Sequence, residues 1–183
     1  MSEANFLLVD AGSLINLFRA GGVQALSLLT QQGGPVVILQ DILDEIERGN
    51  DGAIDAVRTF MDANTSNGRV VKLDYKLIDD VPTLPGEFGD SGDDAIRRIL
   101  QGNTPEARRA LTAISSETPT FRLLTDDGKF FGQLKADGSF KEGALAKYHM
   151  KTMPYQGSFE FLKLSLGSNR LWQISETAKA PRE

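Results

Sequence analysis

Phe6-Leu-Leu-Val-Asp10-Ala-Gly-Ser-Leu-Ile-Asn-Leu-Phe18 decides how this chain is read. Four consecutive apolar residues have the length of a buried strand. Asp10-Ala-Gly-Ser13 has turn character, and Leu14, Ile15, Leu17 and Phe18 take up a helical rhythm. The order is strand, turn, amphipathic helix, with an acid where the strand ends. In an open α/β sheet that position is the carboxyl edge, where ligands bind. Asp10 is equally well placed to serve only as the N-cap of the helix.

The same unit recurs along the chain. Gly21-Gly22 breaks the first helix, and Val23 to Thr30 reads as a second, stopped by Gly33-Gly34-Pro35. Val36-Val-Ile-Leu39 is the next buried strand. Asp41 can cap the helix Ile42 to Arg48, where Ile42, Leu43 and Ile46 share a face and Glu45 lies near its edge. Ala53 to Asn64 carries Ala56, Val57, Phe60 and Met61 at core-facing spacing. Arg69 to Leu73 is a strand, and Asp74 to Phe88 has loop composition around a possible short helical turn. Thr104-Pro105 restarts a helix that runs to about Ile114. Pro119 to Thr125 is another apolar strand, with Asp126-Asp127-Gly128 directly after it; as a bare motif this pair is a turn. Lys129 to Phe140 reads either as a helix or as a hairpin closed by Asp137-Gly138. Glu142 to Met150 reads as a helix passing into a strand near Met150 to Met153. Ser158 to Leu166 is a last helix, Leu171 to Ile174 an edge strand, and the chain from Glu176 a frayed tail. Four or five apolar strands alternating with helices make a parallel α/β sandwich, expected to be one domain over residues 1–183.

A second acidic stretch stands between these units. Gly89-Asp-Ser-Gly-Asp-Asp-Ala-Ile-Arg-Arg-Ile-Leu100 opens a helix under Asp90, Asp93 and Asp94. Ser91 with Asp94 is a capping-box pattern, and acids suit a helix N-terminus. Carboxylate oxygens are also what Mg²⁺ and Mn²⁺ select. Taken alone, the stretch favours capping.

Bulk composition excludes several chemistries. The 183 residues are 40% hydrophobic and 25% charged, which suits a globular domain with a real core. There is no cysteine, so disulfides, thiolate zinc sites and cysteine nucleophiles are out. One histidine, His149, removes histidine-rich metal sites and argues against a histidine triad. The N-terminus lacks a basic leader, and no apolar run is long enough to span a bilayer, so a cytoplasmic location is expected. The net charge of −5 argues against binding nucleic acid by bulk electrostatics. A nucleic-acid role requires a local basic patch, or cations that reverse the sign of an acidic pocket.

Asp10, Glu45, Asp93 and Asp127 share one kind of place. Each stands at, or one turn beyond, a strand end or a helix start. In a parallel sheet those ends point one way, so the four are expected to meet in one cleft. Carboxylates that close repel unless a cation shares them. Asp90, Asp94 and Asp126 are secondary candidates for the same site.

Leu-Val-Asp10-Ala-Gly-Ser-Leu-Ile-Asn-Leu, then Ile42-Leu-Asp-Glu45-Ile, then Gly92-Asp93-Asp94-Ala-Ile96, then Leu-Leu-Thr125-Asp126-Asp127, together resemble the PIN domain over about residues 5 to 165. The resemblance implies a PIN-like three-layer sandwich with a central, mostly parallel sheet of four to five strands flanked by helices. It implies a metal-dependent endoribonuclease acting on single-stranded RNA, with Asp10, Glu45, Asp93 and Asp127 as Mg²⁺ or Mn²⁺ ligands. Thr125 matches the hydroxyl residue ahead of the last acid. Two departures stand out. Gly12 occupies the place where the family carries Asn, Ser or Thr, and Ser13 is the substitute at hand. Residues 129 to 143 look like an insertion relative to compact toxin members.

On the nuclease reading Ser13, Thr125, Arg97 and Lys129 are the substrate-side candidates, with Arg98 and Lys135 as further phosphate contacts; as solvated charges the basic residues need no such role. Toxin-type members of the family would bring a cognate inhibitor or antitoxin protein, or a homodimer. An interaction module with vestigial acids is the main rival. A Mg²⁺-dependent phosphatase of the haloacid-dehalogenase type needs a second Asp where Gly12 stands, and has little support.

Overall fold

The computed structural model describes residues 5–32, 34–50, 52–80, 91–127, 132–134, 136–137, 139–142 and 155–166. Asp90, Lys129, Lys135, the helix expected up to Met150, the strands expected at 150–153 and 171–174, and the tail lie outside them.

Strands β1 (Asn5–Val9), β2 (Val36–Leu39), β3 (Val70–Leu73), β4 (Thr120–Leu124) and β7 (Tyr155–Gln156) form one sheet in the order β3-β2-β1-β4-β7. Every pairing is parallel, with Leu8 opposite Val37 and Leu123. This is the α/β architecture expected, with the four longer strands where the apolar runs lie. Phe6 to Val9 and all of β2 are buried. Side chains of a strand alternate between faces, so both faces of the sheet centre are covered.

The covering helices are α1 (Ala11–Ser27), α2 (Gln40–Gly49), α3 (Ala53–Thr65), α4 (Ser91–Gln101), α5 (Pro105–Ile114) and α6 (Ser158–Leu166). From β1 the chain steps to β2 and then β3, always in one direction; it then crosses back to β4 on the other side of β1. Right-handed crossovers put the connections of these opposed steps on opposite faces. The packing agrees: α1 lies against α3, while α4 lies against α5 and β2. The three layers follow from that reversal.

Local signals explain most boundaries. Asp10 caps α1 by accepting from the Ser13 N–H at 2.6 Å. Gly21 and Gly22 depart from helical geometry within α1, Gly22 at φ 59°, so the glycine pair kinks the helix as its composition predicts. Thr104 caps α5, accepting from the Ala107 N–H at 3.2 Å, with Pro105 in the first turn; such a cap is worth about 1 kcal/mol. Within residues 129–143 the described part is a hairpin, β5 (Gly132–Leu134) against β6 (Phe140–Glu142). Asp137 holds the turn by accepting from the Ser139 N–H at 2.9 Å. The hairpin reading of this stretch stands, and the helix expected from Glu142 does not begin there.

Asp41 corrects an expectation. It does not cap α2, whose N-cap is Leu39; its buried carboxylate accepts from the Leu77 N–H at 3.0 Å. It thereby ties α2 to the short 3₁₀ turn Leu77–Asp79. Burial raises its pKa, outweighing the Leu77 hydrogen bond. The sign for stability follows. The native state keeps this proton to higher pH than the unfolded chain does, so the contribution of Asp41 declines as pH rises from the ordinary carboxylate value through the raised one. Asp41→Asn keeps an acceptor for Leu77 and carries no charge. Its stability relative to the parent will therefore improve between pH 4 and pH 7, read from paired urea midpoints; a difference that stays flat with pH would exclude this account.

Candidate functional site

The step reversal that sets the layers also makes a crevice. β1 sends its chain toward β2, whereas β4 sends its chain toward β7. The carboxyl ends of β1 and β4 are thus a point where the strand order reverses, and in open α/β sheets such a switch point is where ligands bind. Asp10 follows β1 directly, and its N–H donates to the Leu124 carbonyl at 3.1 Å, extending the ladder by one step. Thr125, Asp126 and Asp127 leave β4 beside it.

A cleft of about 310 Å³ opens there. Asp10, Glu45, Asp93, Asp126 and Asp127 line it, with Ala11 and Gly12 at the α1 end. The four acids singled out in the sequence thus border one space, brought from β1, α2, α4 and β4. Glu45 reaches it from the second turn of α2, Asp93 from the first turn of α4. No basic side chain lines the cleft among the described residues.

Asp10 is 5% exposed. One of its oxygens accepts from the Ser13 N–H, and the other accepts from the Thr125 hydroxyl. Burial nevertheless raises its pKa; the Thr125 and Ser13 hydrogen bonds oppose the rise, and the charge of Asp126 adds to it. Thr125 is fully buried, and its Oγ1 also accepts from the Asp127 N–H at 3.1 Å. One threonine therefore fixes the positions of two acids. Ser13 gives its N–H to Asp10 and its hydroxyl to Asp126 at 3.4 Å. Both hydroxyl residues act on the acids that border the cleft.

Asp126 has a second attachment that sequence reasoning missed. Its carboxylate accepts from Asn16 Nδ2 at 2.9 Å, from the Ser158 N–H at 2.8 Å and from the Ser158 hydroxyl. It joins α1, the end of β4 and the start of α6. The serine that opens α6 is a helix-start signal, but nothing in the sequence pairs it with an acid 32 positions away.

Three candidates fall elsewhere. Arg97, expected as a phosphate contact, is 6% exposed and stands 3.4 Å from Asp94, which is 1% exposed. Arg98 is likewise buried, 3.3 Å from Asp80. Neither faces solvent to meet a phosphate. Asp94 does not line the cleft. The i,i+3 spacing puts Asp94 and Arg97 on one helix face, and that face is covered. At Gly12 an added Cβ would meet nothing nearer than Asp10 Oδ1 at 3.9 Å. The departure there is a missing side chain where one would fit.

No protein-family model matches the chain, and no curated protein does either. Among solved structures, the chain is similar to the RRP44 PIN domain of T. brucei, at 12% sequence identity and a TM-score of 0.48, over 93% of this chain and 87% of that one.

The donor set suits a hard divalent cation in type: carboxylates with no basic side chain among them. In orientation it is incomplete. Among the described residues no group of three His, Cys, Asp or Glu side chains is arranged to hold a metal ion. Closing on one requires side-chain rotation. No described helix is long and apolar enough to cross a membrane.

Proposed function

We propose that the chain is a PIN-like, Mg²⁺- or Mn²⁺-dependent endoribonuclease that hydrolyses phosphodiester bonds in single-stranded RNA. The observation that carries this reading is the shared cleft: five carboxylates, from four separate elements, at the switch point of a parallel sheet. Carboxylates that share a cleft repel one another without a cation, and a cation there would convert an acidic pocket into one that accepts a phosphate. Asp10, Asp93 and Asp127 would hold the ion, and Glu45 would hold a second ion or orient the attacking water. The chemistry such an ion would supply there is polarisation of the phosphodiester and acidification of water for in-line attack. The chain's own residues do the positioning. Ser13 and Thr125 fix the rotamer of Asp10, Thr125 sets the backbone of Asp127, and Asp126 braces β4 against α1 and α6.

A second reading, an interaction module of the same fold, is favoured by one observation. Both oxygens of Asp10 already accept protein hydrogen bonds, and so do those of Asp126. Such acids are satisfied without metal.

One experiment separates the two. The protein is incubated with end-labelled single-stranded RNA and Mn²⁺, with and without chelator, and its melting temperature is followed across a Mn²⁺ titration. A nuclease cleaves only with the ion and melts higher; at a hundred times the dissociation constant the gain is about 2.7 kcal/mol. Absence of cleavage together with an unmoved melting temperature would falsify the nuclease and leave the interaction module.

A further inference from the structure

Gly92 is the second residue of α4, directly before Asp93, and its backbone does not require glycine: it is not among the described glycines with positive φ. An alanine in the first turn of a helix would ordinarily be welcome. The surroundings forbid it. A Cβ built on Gly92 falls far inside van der Waals distance of Glu45 Oε2, and 3.2 Å from both Glu45 Cδ and Ile42 Cδ1. The carboxylate of Glu45 lies against the backbone where a side chain at position 92 would stand. α2 and α4 pack together in this region, so the absent side chain is the seat that lets Glu45 border the cleft alongside Asp93.

We propose that Gly92 is a positioning residue, resting on the nuclease reading: it acts only through Glu45, by leaving the volume that the Glu45 carboxylate occupies. A methyl group at 92 would evict a flexible side chain before it moved a helix. The clash with Oε2 is relieved by rotating Glu45, and the contact with Ile42 by a few tenths of an ångström of rotamer adjustment. The effect is a displaced acid in an intact fold.

The experiment is a double-mutant cycle on the full chain: parent, Gly92→Ala, Glu45→Ala and Glu45→Ala/Gly92→Ala. Each is assayed for Mn²⁺ binding by calorimetry and for cleavage of labelled single-stranded RNA. Displacement of a positioned group by about 1 Å can cost a hundredfold. Gly92→Ala is expected to lower kcat tenfold or more, to weaken Mn²⁺ binding, and to leave the metal-free melting temperature unchanged or higher. In the Glu45→Ala background the same change is expected to alter cleavage and binding less than twofold. The proposal is overturned if Gly92→Ala retains the parent's activity and Mn²⁺ affinity while Glu45→Ala does not, or if it costs as much without Glu45 as with it. Should Gly92→Ala fail to fold, the double variant decides: recovery of the fold supports a conflict with Glu45 alone, and a second failure overturns it. Failure of the nuclease reading looks different, because then Glu45→Ala and Asp93→Asn also leave cleavage and Mn²⁺ binding where they were.

Discussion

Asp10→Asn is expected, on the proposed nuclease reading, to remove Mn²⁺-dependent RNA cleavage by a factor of at least about a hundred, while the metal-free protein stays as stable as its parent or becomes more so. The two halves have one cause. Asparagine keeps the shape of the side chain and an oxygen for the Ser13 N–H, which Asp10 now accepts at 2.6 Å. Its amide can donate to Thr125 Oγ1, whose hydroxyl hydrogen turns away. What is lost is the negative charge, in a place where burial already disfavours it and raises the pKa of Asp10. Removing that charge relieves the fold and would deprive the proposed cation of its most enclosed ligand. A hundredfold loss corresponds to about 2.7 kcal/mol of barrier, at about 1.36 kcal/mol per factor of ten. Asp93→Asn should lose activity similarly, since Asp93 borders the same cleft from α4. Cleavage assays and urea melts on the same preparations check both halves. An Asp10→Asn protein that keeps more than a tenth of the parent's rate would remove Asp10 from the reaction. One that loses rate only in proportion to lost stability would make it a folding residue. Sites where a local rule of stability is broken are where function is expected, and Asp10 breaks one: a buried carboxylate with no basic neighbour in its cleft among the described residues.

How much of this could be read in the residues differs by element. The four long strands are legible because each is a run of apolar residues bounded by turn chemistry. An acid or a hydroxyl at a strand end is legible as well, because parallel strands share an edge. α4 shows where such reading stops. Its sequence, Ser-Gly-Asp-Asp-Ala-Ile-Arg-Arg-Ile-Leu-Gln, has a strong polar face, and a polar face is normally solvated. In the fold Gly92 and every residue from Asp94 to Ile99 are buried, arginines included. Periodicity reports which residues share a face of a helix; it does not report whether a loop from elsewhere covers that face. Here Arg98 of that face meets Asp80, just past the 3₁₀ turn, while α2 and α5 pack on the same helix. The one signal that could have pointed to it is Asp79-Asp80 beside Tyr75: two acids and a phenol lying ahead of two arginines. The brace through Asp126 and the seat at Gly92 were invisible for a similar reason. Both depend on which side chain approaches from a distant part of the chain, and spacing along one element carries no trace of that.

The buried pair Arg98–Asp80 is where the largest loss of stability is expected. Arg98 is 1% exposed, and the Asp80 carboxylate is wholly enclosed, with Arg98 Nη1 3.3 Å from its Oδ2. The same oxygen accepts from the Tyr75 hydroxyl at 2.7 Å and from Thr104 Oγ1 at 2.8 Å. Four segments meet on one carboxylate: the end of β3, the 3₁₀ turn, α4 and the cap of α5. Burial and the neighbouring Asp80 push the Tyr75 phenol well above its ordinary pKa, so it stays a donor at any working pH. Asp80→Ala leaves a guanidinium in the interior without its carboxylate, and removing one member of such a pair costs about 3–5 kcal/mol. Set against a whole-domain stability of about 5–15 kcal/mol, that is enough to leave the variant marginal. The pair itself need not be stabilising, because desolvation offsets most of its attraction. Replacing both members with apolar groups, Arg98→Met with Asp80→Leu, should therefore recover most of the loss. Recovery will be incomplete, because Tyr75 and Thr104 would still lack their acceptor, at about 1–3 kcal/mol for a buried group left unpaired. Urea denaturation of the parent, both single variants and the double completes the cycle. A cost below about 1 kcal/mol for Asp80→Ala, or a double variant no better than Asp80→Ala, would mean that water reaches Arg98 and that the enclosure of this pair is not what holds α4, and with it Asp93, against the cleft.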